Sequence, residues 1–150
     1  MLRGSISAKT DEKGRLKFPA DFKQVFDAAN YTKFYITSED GKKAQIWPLP
    51  EWEKREKKLL RSSSVNPAVA KYLNLTSYYG QQVEMDNQGR VLISQLLRKS
   101  AKLDAEVLVM GQINHLVLEN STQADEYAKS NELTTEDRQK IDALFSEDEV

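Results

Sequence analysis

Two arginines hold the same place in a repeated six-residue element, Arg15 in Asp11-Glu12-Lys13-Gly14-Arg15-Leu16 and Arg90 in Asp86-Asn87-Gln88-Gly89-Arg90-Val91. A guanidinium offers a rigid fork of donors that grips a phosphate or bonds a guanine edge bidentately in the major groove. Lys9, Lys13 and Lys17 surround the first arginine. On a strand leaving a hairpin, Arg15 and Lys17 share one face because strand side chains alternate. Lys13, in the turn itself, extends that basic surface. The chemistry this pattern suits is binding to double-stranded DNA: Arg15 as the main reader, Lys9 and Lys17 on phosphates, Arg90 as a weaker second contact. The same spacing also suits a simpler role, in which Asp11 and Arg15, or Asp86 and Arg90, pair across the turn only to stabilise it.

Charge supports the first role. The net charge of −1 conceals a segregated distribution. Residues 1–23 carry six bases against three acids, and residues 86–102 carry four against one. Residues 119–150 reverse the sign, with ten acids against three bases. Each basic segment is centred on one copy of the element. Other chemistries find little material. There is one histidine, His115, and no cysteine, so a His/Cys metal centre lacks ligands and no disulfide can form. No glycine-rich phosphate loop or catalytic constellation occurs, and neither enzyme activity, a cofactor nor a small-molecule substrate is expected. His115 reads as a strand residue. No apolar run reaches the roughly 18–20 residues of a membrane helix. Met1-Leu2-Arg3-Gly4-Ser5 lacks an apolar export segment, and a cytoplasmic protein associated with the nucleoid is expected. A hydrophobic content of 39% with 30% charged residues describes a globular chain.

The elements that must position these residues follow from the repeat. Asp11 and Asp86 lie 75 residues apart, half the chain. At that offset Gly14 matches Gly89, Leu16 Val91, Phe18 Ile93, Phe22 Leu97 and Lys23 Arg98. Each Asp-to-Gly stretch has turn composition, Gly14 and Gly89 supplying the positive φ that closes a hairpin. Ser5-Ile6-Ser7-Ala8 and Gln82-Val83-Glu84-Met85 lead in as strands, and Arg15–Phe18 and Arg90–Ile93 return. Pro19 suits the first helical position and Ser94 an N-cap, starting helices over 20–28 and 95–103. Further strand pairs are expected at 34–37 with 44–47, around Glu39-Asp40-Gly41-Lys42, and at 106–110 with 115–118, around Gly111-Gln112-Ile113-Asn114. Each half thus runs β-β-α-β-β. Helices are expected from Pro50 to about residue 60, broken by Ser62-Ser63-Ser64, then from the Asn66 cap and Pro67 until Gly80. Two more follow at 122–129 and 135–145, the last with Ile141, Leu144 and Phe145 on one face. Residues 146–150 are expected to be disordered. Trp47, Trp52, Tyr72, Tyr78 and Tyr79, near helices and a strand–helix junction, suit core or subunit contacts better than base stacking. The division is 1–49, first repeat; 50–80, helical connection; 81–119, second repeat; 120–150, C-terminal helices and acidic tail.

Asp11–Lys23, with Gly14-Arg15-Leu16-Lys17-Phe18-Pro19-Ala20-Asp21-Phe22 inside it, resembles the first signature of the MraZ family of bacterial transcriptional regulators. Ile46-Trp47-Pro48-Leu49-Pro50-Glu51-Trp52 is similar to that family's strand-to-helix junction, and Asp86–Ile93 to its second signature. Order and spacing agree over residues 1–127; residues 132–150 lie beyond the resemblance. Ser94 departs from the proline usual in the second signature, and Gln88 stands where the first copy has Lys13. The resemblance implies an α+β fold, mainly β, in which two swapped-hairpin repeats form a pseudo-dimeric, AbrB-like, double-psi-type β-barrel with added helices. It also implies ring-shaped homo-oligomers that bind repeated promoter boxes upstream of the division and cell-wall gene cluster and repress their own operon.

Magnitudes favour the oligomer. Three neutralised phosphates per protomer give a log K–log salt slope of only about −2.7. Repeating that footprint around a ring raises apparent affinity commonly about 10²- to 10⁴-fold. An alternative function is an AbrB-like antitoxin whose acidic C-terminal tail occupies a toxin. Two hairpin copies with intervening helices in one chain argue for the regulator.

Overall fold

The computed structural model describes residues 1–62 and 65–147. In chain order the elements are β1 (Leu2–Lys9), β2 (Arg15–Lys17), α1 (Ala20–Ala28), β3 (Lys33–Thr37), β4 (Ala44–Pro48), α2 (Leu49–Ser62) and α3 (Pro67–Tyr78). They continue with β5 (Gln81–Glu84), β6 (Arg90–Leu92), α4 (Gln95–Ser100), β7 (Glu106–Ile113), β8 (Leu116–Asn120), α5 (Ser121–Ser130) and α6 (Thr135–Glu147). The expected β-β-α-β-β order is present twice. Each return strand and each helix start falls within a residue or so of its expected place.

Pairing is exchanged between the halves. One antiparallel sheet has six strands in the order β1-β7-β8-β4-β3-β5. The first strand of each repeat therefore pairs with the third strand of the other. Lys9 stands opposite Glu106 and Lys33 opposite Glu84, the same contact seen from each side of a pseudo-two-fold axis. The axis passes between β4 and β8, where Ala44 opposes Leu118 and Ile46 opposes Leu116. The two short return strands form a second sheet, with Leu16 facing Val91 on the axis. The strands lie in these two sheets and not in one closed barrel. β1 and β5 are the edges of the larger sheet, and β2 and β6 are only three residues each, too short to ladder with anything beyond each other.

The core lies between the sheets and the short helices, and both repeats supply it: Leu16, Phe18, Phe22, Phe26 and Phe34 from the first, Val91, Ile93, Leu97, Leu103 and Val107 from the second. Phe18, Phe26 and Phe34 pack with ring centroids 4.9–5.1 Å apart in tilted and edge-on arrangements. At the matching places the second repeat has Ile93, Ala101 and Val107, all fully buried, so one half is filled by aromatic rings and the other by aliphatic groups.

Several boundaries differ from expectation. Pro19 is the N-cap of α1 and not its first helical residue; its carbonyl accepts from the Phe22 and Lys23 amides. Ser94 caps α4 as expected, its Oγ accepting from the Leu97 amide at 3.2 Å. That helix stops at Ser100, short of residue 103, because Lys102 turns to φ 55° and the Leu103 amide folds back onto the Arg98 carbonyl. Gly111, read as part of a turn, lies within β7 opposite Gly4; a Cβ there would collide with the Leu2–Arg3 backbone. The turn itself moves on to Ile113, at φ 73°, and Asn114. His115 consequently sits just before β8 and not within it. Asn66 caps α3 and Pro67 opens it. Ser62 ends α2, while Ser63 and Ser64 of the expected break lie outside the described residues. Ser146 and Glu147 belong to α6; residues 148–150 of the expected disordered tail lie outside the described residues. Among the described residues no helix is long and apolar enough to cross a membrane.

Candidate nucleic-acid interface

The two turns are built identically. Asp11 Oδ1 accepts from the amides of Lys13 and Arg15 at 3.0 and 2.9 Å, and its Oδ2 meets Arg15 Nε at 2.7 Å. Asp86 Oδ1 accepts from the amides of Gln88 and Arg90, both at 2.9 Å, and its Oδ2 meets Arg90 Nε at 2.7 Å. An aspartate suits this place because its short side chain accepts from two amides with one oxygen and keeps the other to accept from a side chain four residues on. The Arg15 amide, against some desolvation, holds the Asp11 carboxyl below the usual carboxylate range, with the Arg15 side chain and Lys13 amide adding to it. At Asp86 desolvation works upward and is outweighed by the Arg90 amide, the Arg90 side chain and the Gln88 amide, leaving the group again lowered.

Gly14 and Gly89, at φ 84° and 74°, occupy the left-handed conformation that ends each turn. Each is also covered by a basic side chain from the other repeat. A Cβ on Gly14 would fall on the Arg98 guanidinium, and one on Gly89 would meet Lys23 Cε at 2.8 Å. Arg98 is fixed there by the Ile93 carbonyl and by Asp104, each at 3.0 Å. Lys23 pairs with Asp27 at 2.7 Å. The match of Lys23 with Arg98 at the 75-residue offset is visible in the sequence. Nothing local reveals that each reaches across to the other turn.

The Asp–Arg pairing is thus real in both copies, but it engages only Nε. Among the described residues neither Arg15 nor Arg90 places its terminal guanidinium nitrogens in a hydrogen bond. The β2–β6 register then decides where they point. Arg15 stands opposite Leu92, and Lys17 opposite Arg90. Residues opposite one another in an antiparallel pair share a face. Leu16 and Val91 turn inward, fully buried, so Arg15, Lys17, Arg90 and Leu92 make one solvent face. Lys13 and Gln88 stand exposed in the flanking turns. Lys9 ends β1, opposite Glu106, outside the β2–β6 pairing and beside Asp11 and Glu12 of the first turn.

Comparison with known proteins covers both turns and the ribbon between them. The family model for MraZ protein, described as antitoxin-like, matches residues 1–74 and 80–144. The chain belongs to the MraZ family. A protein of Acidobacterium capsulatum named Transcriptional regulator MraZ is 48% identical over 141 residues, covering 94% of this chain and 97% of that protein. Its namesake from Koribacter versatilis is 45% identical over 145 residues, covering 96% and 99%. That of Thiobacillus denitrificans is 36% identical over 120 residues, covering 80% and 81%. The match with the MraZ model extends past residue 127, into α6.

The remaining sequence candidates are structural. Trp47 and Trp52 are buried; Tyr35 stacks on Trp52 at 4.8 Å, and Arg55 lies over Trp47 at 4.7 Å. Tyr72 accepts from Arg55 Nη2 at 2.7 Å, whereas Tyr78 is exposed. His115 stacks flat on Trp47 at 3.9 Å. Desolvation, helped by the nearby Arg55 charge and opposed by Glu39, pulls its pKa down to about 4. Among the described residues no group of histidines and carboxylates could hold a metal ion.

Proposed function

We propose that this MraZ-family chain is a sequence-specific DNA-binding transcriptional regulator whose reading surface is the exposed face of the β2–β6 ribbon. The observation that carries the proposal is the convergence of Arg15, Lys17 and Arg90 on that one face, with both arginines held at Nε and their outer nitrogens without a hydrogen-bond partner among the described residues. A two-stranded ribbon fits the major groove, where such a fork bonds a guanine edge. Lys13 and Lys9 contribute phosphate contacts at the margin. Arg90 takes part with Arg15, while Leu92 and Gln88, in place of Lys17 and Lys13, make the second repeat's contribution the weaker.

Three cations are a small footprint, and the protein acts as a ring-shaped homo-oligomer on tandem promoter boxes. By family resemblance, those boxes lie upstream of the division and cell-wall cluster, and binding represses the protein's own operon. The names of its relatives, transcriptional regulators in each case, support this reading. Its place of action is then the nucleoid, in the cytoplasm.

Fluorescence anisotropy against duplexes carrying one, two or four boxes from upstream of the gene, at several salt concentrations, tests the proposal. Affinity should rise steeply with box number. Affinity that is independent of box number, or equal for unrelated DNA, would overturn it.

A further inference from the structure

A groove of about 490 Å³ opens on the outer side of the sheet in the second half, between β7, β8 and α5. Leu108, Met110, Ala124 and Tyr127 line it, with Glu119 buried at its floor. The pseudo-two-fold axis identifies what this place is. The exchanged β1–β7 and β5–β3 registers relate Tyr35 and Thr37 to Leu108 and Met110 by an offset of 73 residues. The β4–β8 register gives 72, relating Trp52 and Arg55 to Ala124 and Tyr127. In the first half this seat is occupied. Tyr35 and Thr37 donate to the Thr76 carbonyl of α3 at 2.8 and 2.7 Å, and Arg55 bonds Tyr72. The groove is the second repeat's copy of the seat of α3.

The helix equivalent to α3 is α6. At the offset of 72, Val69 and Tyr72, on the inner side of α3, and the more exposed Leu73 correspond to Ile141, Leu144 and Phe145. Those three are 40%, 59% and 65% exposed, and residues 135–146 of α6 are exposed throughout. Seat and plug are both present, and they are apart.

We propose that the groove is filled by α6 of a second copy of this chain. Its own α6 is out of register for the task. In the repeat frame α5 ends four residues sooner than α2, and the apolar triplet begins four residues deeper into α6 than into α3. At about 1.5 Å per residue, a fold-back would carry the triplet roughly 12 Å past the seat. A helix delivered from another copy has no such constraint. Charge agrees: besides Glu39, already paired with Arg55 at 3.9 Å, the groove holds Asp40 and Glu119 against Lys43, while Arg138, one turn before Ile141 on the same stripe, makes no ion pair with any described residue. The inference rests on the multi-copy reading above and names one of its interfaces.

The chain has no cysteine, so introduced thiols are unique. Tyr127→Cys and Leu144→Cys mark the images of Arg55 and Tyr72, which touch in the first half. The two single variants, one isotopically heavy, are mixed and treated with a short bis-maleimide, with mass spectrometry as readout. A heavy–light product joining position 127 of one copy to position 144 of the other is expected in large excess over either self-linked product. L144D/F145D should lower the solution mass by light scattering without changing the circular dichroism spectrum, because both side chains are exposed. Intramolecular linkage in the dilute double variant, Y127C/L144C, would assign the groove to the chain's own helix and overturn the proposal. A wild-type oligomer unchanged by L144D/F145D, with no mixed product, would overturn it while leaving the ring intact. A wild-type monomer would remove both, and would point to a different protein as the occupant.

Discussion

Replacing the ribbon arginines one at a time separates base reading from charge. The structure puts three cations on the β2–β6 face, Arg15, Lys17 and Arg90. If each neutralises one phosphate, the salt slope per protomer is about −2.7, and removing one should reduce it by about 0.9. If an arginine reads a guanine, its loss costs roughly 1–3 kcal/mol, about 5- to 150-fold, and relaxes discrimination between box and random DNA. Arg15→Lys and Arg90→Lys distinguish the cases, since lysine keeps the charge and loses the fork. We expect Arg15→Lys to hold the salt slope and lose most of the specific-to-random ratio, and Arg90→Lys to do so to a smaller degree. Lys17→Ala should reduce the slope and leave the ratio alone. The assay is anisotropy on two-box and scrambled duplexes from about 50 to 200 mM salt, with thermal melts to show that each variant is folded. Equal affinity, slope and ratio for wild type, Arg15→Ala and Arg90→Ala would refute the placement of the reading surface on this ribbon.

Gly14→Ala should destabilise by more than the roughly 1–2 kcal/mol that a left-handed residue costs, because the Arg98 guanidinium must also leave Ile93 and Asp104. Gly89→Ala should stay within that range, since flexible Lys23 methylenes can yield; urea denaturation of both variants checks the difference. Phe26→Ala, at the centre of the buried aromatic trio, should cost about 3–5 kcal/mol in the same experiment. His115 should titrate near 4 by NMR, below its ordinary 6.5. The unfolded chain takes up this proton as pH falls below 6.5 and the native state resists until about 4, so stability from the neutral, stacked ring is complete above 6.5 and is lost on acidification across that interval. Trp47→Ala should return the midpoint toward 6.5 and flatten that part of the profile.

Turns, strand starts and helix starts were legible in the sequence because short-range chemistry sets them. Asp11 and Asp86 bind amides two and four residues away, Ser94 caps three residues on, and Asn66-Pro67 starts α3 by itself. What escaped depended on distant partners. Gly111 looks like a turn residue and is in fact the point where the backbone of β1 comes too close for a side chain. The open sheet in place of a barrel depends on which strands pair across the two halves, and composition leaves that open. For the candidate site, the sequence put Arg15 and Lys17 on one face and named Arg90 separately. It could not bring Arg90 to that face, because this depends on Lys17 lying across from Arg90, 73 residues away. Nor could it show that Lys9 lies at the margin, which depends on the β1–β7 register placing it opposite Glu106.

The exchange of strands between repeats has a consequence for gene dosage. A reading surface made from two separate chains would dissociate on dilution, and its occupancy would depend steeply on how much protein a cell holds. Here the α2–α3 connection tethers the two partners at an effective concentration on the order of millimolar, so the ribbon stays assembled at any copy number. Only the contacts between whole protomers still respond to abundance. Under the autorepression proposed above, that division would keep recognition constant and leave multivalent grip as the single quantity that rises and falls with expression.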